Sequence, residues 1–93
     1  MPYLLLRYKV EDYHRWRSVF GQQAGQRRAS GSKGARLFRN DDDPGEVFLL
    51  FEWDDMENAR CFVCSEEFEQ QAEEAGLGRP DIRLLQEVEH ITS

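Results

Sequence analysis

The sequence predicts an α+β domain with elements in the order β-α-β-β-α-β, and three observations lead there. Short, turn-bounded segments with alternating apolar residues are interleaved with longer segments whose apolar residues recur every three or four positions. The strongest turn signals fall between those segments: Ser30-Gly31-Ser32-Lys33-Gly34, Asn40-Asp-Asp-Asp-Pro-Gly45 and the stretch from Gly76 to Pro80. The chain has 93 residues, with no linker or low-complexity tract to divide it, so residues 1–93 read as one domain around one core.

Residues 3–10 are expected to form the first strand, with Leu4, Leu6, Tyr8 and Val10 on a wholly apolar face. Tyr3, Leu5, Arg7 and Lys9 make up a mixed face. Asp12 offers an N-cap, and Tyr13, Trp16, Phe20 and Ala24 recur at helical spacing, so one helix is predicted over residues 12–29. Arg15, Arg17, Gln22, Gln26 and Arg27 are assigned to its other faces. Residues 35–40 read as a second strand. The third, Glu46 to Trp53, is the clearest: Val47, Leu49, Phe51 and Trp53 line one side, and Phe48 and Leu50 occupy the middle of the other.

A second helix is expected from a cap at Asp54 or Asp55, where Asp54 with Glu57 loosely imitates a capping box. Met56, Ala59, Phe62 and Val63 form its apolar stripe. Ser65 should kink or restart it before Phe68, Ala72 and Ala75 lead to a stop at Gly76. Pro80 excludes helix, and residues 81–91 alternate as a last strand, with Ile82, Leu84, Gln86, Val88 and His90 on one side. This order is the split βαβ of ferredoxin-like folds: a four-stranded antiparallel sheet with two helices on one face and the first and third strands central. Those strands are apolar on both sides, so Tyr3, Leu5, Phe48 and Leu50 form a patch of roughly several hundred Å² needing cover. A second copy of the same sheet about a twofold axis supplies it, and a homodimer through sheet faces is expected.

Composition narrows the function. Acidic residues outnumber basic ones, 18 to 12, for a net charge of −6, which argues against nucleic acid or an anionic membrane as partner. The charge is unevenly placed: residues 1–40 hold nine basic and two acidic side chains, residues 41–93 three basic and sixteen acidic. Such a split can steer an anionic ligand toward the first half, pair complementary subunits, or simply solvate two faces. No run of 18 apolar residues suggests a transmembrane helix, and Arg7 interrupts the opening segment too early for a signal peptide. Two cysteines cannot build a disulfide framework and fit a reducing cytoplasm. Cys61-Phe-Val-Cys64 has redox or metal spacing, but its mid-helix placement and the lack of further ligands favour packed thiols and no bound metal.

Five segments carry a family resemblance: Tyr3-Leu-Leu-Leu-Arg-Tyr8, Asp12-Tyr13-His-Arg-Trp16, Gly34-Ala-Arg-Leu-Phe38, Val47-Phe-Leu-Leu-Phe-Glu-Trp53-Asp-Asp-Met-Glu-Asn-Ala59 and Ser65-Glu-Glu-Phe68. Together they resemble the dimeric α/β-barrel superfamily, in particular its antibiotic-biosynthesis-monooxygenase-like branch of small bacterial proteins. The resemblance implies two sheets closed into a barrel between subunits, with a pocket between sheet and helices in each. It implies cofactor-independent monooxygenase-like chemistry on an aromatic or polyketide-like small molecule, or alternatively a non-catalytic ligand-binding or stress-associated homodimer. Trp53 matches the pocket Trp of the oxygenase members. The strand Asn that those members carry just before it is replaced here by Leu49, Leu50, Phe51 and Glu52, and Ser65 to Ala75 lacks the His of haem-degrading relatives, so no cofactor is expected.

The candidate ligand contacts are therefore Trp53 and Tyr8 as walls, with Gln86 and His90 as polar groups. Gln86 can hydrogen-bond a ligand carbonyl, and His90, on the same side of the last strand, is the better placed of the two histidines. His14 points off the apolar stripe and is expected in solvent. Arg7 and Glu52, on the mixed faces of neighbouring strands, suggest a cross-strand or cross-dimer ion pair, with anion binding by Arg7 as the alternative. The loop Gly31-Ser-Lys-Gly34 lacks the spacing of a phosphate-binding loop and reads as a turn.

Overall fold

The computed structural model describes residues 2–74 and 80–92. Its strands are β1 (Pro2–Lys9), β2 (Ser32–Arg39), β3 (Glu46–Trp53) and β4 (Asp81–Gln86). They form one antiparallel sheet in the order β2-β3-β1-β4, which puts the two most apolar strands in the centre. On the side covered by helices, alternation is complete: Leu4, Leu6 and Tyr8 of β1, and Val47, Leu49, Phe51 and Trp53 of β3, are all buried.

Each predicted helix is observed as two. The first divides into α1 (Tyr13–Gln22) and α2 (Ala24–Ser30) at Gln23, whose φ of −93° and ψ of 2° interrupt the helix. Gly21 and Gly25 flank the break, and their low helix propensity makes a turn there inexpensive. Asp12 caps α1 as expected, accepting the Arg15 amide at 3.1 Å. The second divides into α3 (Met56–Val63) and α4 (Glu66–Glu74) around Ser65, whose hydroxyl donates to the Phe62 carbonyl and accepts from the Phe68 amide. The cap of α3 is Asp55, which accepts the Asn58 amide at 2.8 Å, while Asp54 takes the Asp55 amide. The expected stop at Ala75-Gly76 lies outside the described residues.

Three other expectations are corrected. β4 ends at Gln86 instead of continuing to residue 91: Gln86 pairs with Pro2, where β1 begins among the described residues, and Val88 is 95% exposed. β2 begins earlier than expected, at Ser32, through a bulge between Ser32 and Gly34. Arg7 does not pair with Glu52 across the strands of one chain: the register sets Phe48 opposite Arg7 and Tyr3 opposite Glu52. Arg7 instead donates to Glu46 at 2.7 Å and to Asp81 at 2.9 Å.

The two faces of the sheet are unlike. Trp16 of α1, Ala59 and Phe62 of α3 and Phe68 of α4 close the covered side. On the open side, Leu5 lies across from Leu50, Phe38 from Phe48 and Tyr3 from Leu85. Phe38 is 49% exposed and Leu85 40%, while Tyr3, Leu5, Phe48 and Leu50 are half-buried in the single chain. No helix among the described residues is long and apolar enough to cross a membrane.

Candidate functional site

Aromatic rings run in unbroken contact between sheet and helices. Tyr8 meets Trp16 (6.0 Å between centroids), Trp16 stacks on Phe20 (5.3 Å), and Phe20 touches Phe51 (6.1 Å). The series continues through Phe51–Trp53, Trp53–Phe62 and Phe62–Phe68. These rings enclose a cavity of about 20 Å³, with Tyr8, Trp16, Phe20, Phe51, Phe62 and Phe68 in its wall together with Arg27. That is room for about one water-sized group.

Arg27 is the residue that the sequence reading misplaced. It was assigned to an outer face of the helix, yet it is only 8% exposed. The break at Gln23 and the seven-residue interval from Phe20 turn it inward, where its guanidinium lies 3.8 Å from the centre of the Phe20 ring and 5.9 Å from that of Phe51. Continuing the stripe Tyr13, Trp16, Phe20 by alternating steps of three and four gives Gln23 and then Arg27; its charge, not its spacing, put it outside.

Stacking compensates part of the burial, since a desolvated cation–π contact is worth about 2 kcal/mol. It supplies no hydrogen bonds: among the described residues Arg27 has no hydrogen bond and no carboxylate partner, and its N–H groups are left to solvent or a ligand. Burial pulls its pKa down, the neighbouring Tyr8 oxygen opposes that, and Arg17 and Arg28 add to it as like charges. Tyr8 is likewise without a hydrogen bond among the described residues, and burial raises its pKa while Arg27 lowers it. The phenol therefore stays protonated at neutral pH, and both residues, donors without a protein partner, line the same cavity.

The other expected site residues are dispersed. Trp53 is completely buried; its rings support Phe51 and Phe62 from behind, and its indole N–H donates to the Ser30 carbonyl at 3.3 Å. That bond helps hold the turn at Gly31, where φ is +120° and a Cβ would lie 2.5 Å from Asp54 Oδ1 and 2.8 Å from the indole nitrogen. A separate groove of about 760 Å³ runs along Tyr3, Arg36 and Leu85 of the open side; His90 borders it, as does Gln86 at the end of β4, although the register continues Gln86 from the covered row of Ile82 and Leu84. His14 is exposed, as expected. Cys61 and Cys64 are also exposed, which corrects their reading as packed thiols: α3 turns Ala59 and Phe62 inward and leaves the cysteines outside. Among the described residues no three His, Cys, Asp or Glu side chains gather as metal ligands would.

No protein-family model matches the chain, and no curated protein matches it in sequence. Solved structures match it in fold. SnoaB, a cofactor-independent oxygenase from Streptomyces nogalater, superposes with a TM-score of 0.79 at 18% identity, covering 99% of this chain and 97% of that one. A Bordetella bronchiseptica protein assigned as an antibiotic biosynthesis monooxygenase gives 0.75 at 20% identity, covering 94% and 96% of the two chains. One from Caulobacter crescentus, assigned likewise, gives 0.73 at 21% identity over 95% and 90%. The chain therefore has the ferredoxin-like α+β fold shared by solved structures of antibiotic biosynthesis monooxygenases.

Proposed function

We propose that the protein is a homodimer joined through its sheet faces, each subunit acting as a cofactor-independent, monooxygenase-like enzyme on an aromatic or polyketide-like small molecule. The observation that carries this reading is the pair of unpartnered donors, Arg27 and Tyr8, on an aromatic-walled cavity under the sheet. Dioxygen reacts without a metal or flavin only when the substrate itself is electron-rich, as the anion of a phenol or enol is. In this reading Arg27 and the Tyr8 hydroxyl hold that anion's oxygen, and the rings of Phe20, Phe51 and Phe62 exclude water. For a ring CH₂ activated by a neighbouring enolisable carbonyl, both C–H bonds and the O–O bond break. One oxygen atom becomes a new ring carbonyl, and the other leaves as water with the two hydrogens.

Trp53 acts from behind Phe62, while Gln86 and His90, which border the groove along the open side, lie at the edge of the subunit interface. The apolar pairs Leu5–Leu50 and Phe38–Phe48 support the dimer, and two free exposed thiols fit a reducing cytoplasm. Oxygen uptake with an anthrone substrate tests the chemistry. The wild type should exceed buffer, Arg27→Met should reduce kcat/KM by about 100-fold or more, and Trp53→Phe should act more weakly. Uptake no faster than buffer would overturn the enzyme reading.

One observation favours a second reading, a non-catalytic ligand-binding or stress-associated homodimer. A cavity of about 20 Å³ does not hold a ring unless Phe20 or Phe62 moves. Saturable binding without oxygen uptake would establish it.

A further inference from the structure

Arg27 also lines a second space. Outside Phe20 and Phe51, between α2 and the start of β2, lies an open cleft of about 320 Å³. Phe20, Arg27 and Phe51 are common to the walls of both spaces, so the guanidinium stands between the interior cavity and the cleft. The cleft carries two more cations, Arg28 and Lys33, and its wall contains no Asp or Glu. None of the three cations has an ion pair among the described residues.

The backbone builds this arrangement. Gly31 leaves α2 at a φ of +120°, which ordinary side chains rarely adopt. The bulge that follows makes Lys33 the extra residue between Ser32, paired with Trp53, and Gly34, paired with Glu52. A bulge re-aims the side chain it carries, and here Lys33 is brought to the wall of the cleft. The loop that lacks phosphate-loop spacing thus has a different use.

We propose that the cleft between α2 and β2 is a binding site for a planar aromatic carboxylate. Its ring lies on the apolar surface of Phe20, Ala24 and Phe51, and its carboxylate is held by Arg27 with Arg28 and Lys33 at the rim. A buried guanidinium with free donors suits a carboxylate's two oxygens, which accept a bidentate pair of hydrogen bonds. The cleft's volume falls in the range of small-ligand sites, which the interior cavity does not reach. Positive charge at the mouth, in a chain that is acidic overall, would draw an anion there. The inference extends the proposed function by naming the class of ligand, and it rests on that reading only for the site's use in catalysis.

The test is equilibrium titration without oxygen, comparing naphthalene-2-carboxylate with its uncharged isostere naphthalene-2-carboxamide and with inorganic phosphate. The carboxylate should bind at least about tenfold more tightly than the amide, and more weakly as salt rises. Arg27→Met should abolish that preference. The exposed substitutions Arg28→Gln and Lys33→Gln, which leave the core intact, should each reduce it by about two- to fivefold. Equal affinity for acid and amide, or no response to any of the three substitutions, would overturn the assignment. Phosphate displacing the naphthoate at equal concentration would overturn its aromatic part. Because binding is read without oxygen, a lack of oxygen uptake leaves this result standing. Conversely, uptake that persists without any preference for the acid rejects the cleft alone.

Discussion

The two faces of the sheet leave opposite kinds of group without partners. Behind the helices the apolar side chains are buried, and the groups without a protein partner are polar: the Arg27 guanidinium and the Tyr8 hydroxyl, whose polar atoms still reach solvent. On the open face the charges at one end are paired, and the apolar groups are left without cover. Arg7 bridges Glu46 and Asp81, Lys9 pairs with Asp43, and Asn40 donates to Glu46 at 2.9 Å, whereas Phe38 and Leu85 remain exposed. The kind of group left over indicates the kind of partner that completes each face. Free donors in an apolar interior call for an anion, and uncovered apolar residues call for another apolar surface.

Substitutions can break this contrast from either side. The largest effect is expected inside, where Phe62 touches both Trp53 and Phe68. Phe62→Ala should lower unfolding free energy by about 3–5 kcal/mol in a urea titration, against about 1 kcal/mol or less for Gln22→Ala on the exposed surface of α1. Next is the open face. Leu50→Lys should weaken self-association by at least about 100-fold in sedimentation equilibrium, because it buries an unpaired charge, while the far-ultraviolet circular dichroism stays unchanged. A Leu50→Lys protein that associates as the wild type does would put the interface elsewhere.

A smaller effect should come from the ion network. The Asn40 side chain and then Arg7 hold the Glu46 carboxyl below its ordinary range, and Lys9 and then the Gly45 amide do the same for Asp43. A carboxylate with a lowered pKa in the folded state stabilises above its unfolded pKa, and that stabilisation is lost as pH falls through the folded value. The melting temperature should therefore decline from about pH 5 downward, and Glu46→Gln should make the decline shallower. An identical slope in the two proteins would remove the network from the pH dependence.

The sheet was legible because period-two alternation needs only polarity, and β1 and β3 alternate without exception on their covered side. The division at Ser65 could be read as well, since Ser restarts helices by capping. The end of β4 could not be read from its own residues: Val88 continues the alternation, yet the described pairing with β1 ends at Gln86 opposite Pro2. Pairing register, which polarity does not encode, also separated Arg7 from Glu52. The site was the least legible part. Tyr8 was found because it falls on an apolar row. Arg27 was missed because a charge on a helix is assigned to solvent unless its spacing is weighed first, and the turn at Gln23 that swings it inward shows only as a pair of nearby glycines.

The central claim is that Arg27 is kept in the interior for a ligand and not for the fold. Denaturant unfolding of wild type and Arg27→Met, each with and without naphthalene-2-carboxylate, tests it most directly. Methionine fills similar volume without a charge to desolvate, so the variant should be at least as stable as the wild type without ligand and unmoved by adding it. The wild type should gain stability with ligand concentration as mass action requires. A variant that is less stable without ligand, or stabilised by the naphthoate as much as the wild type, would contradict the claim.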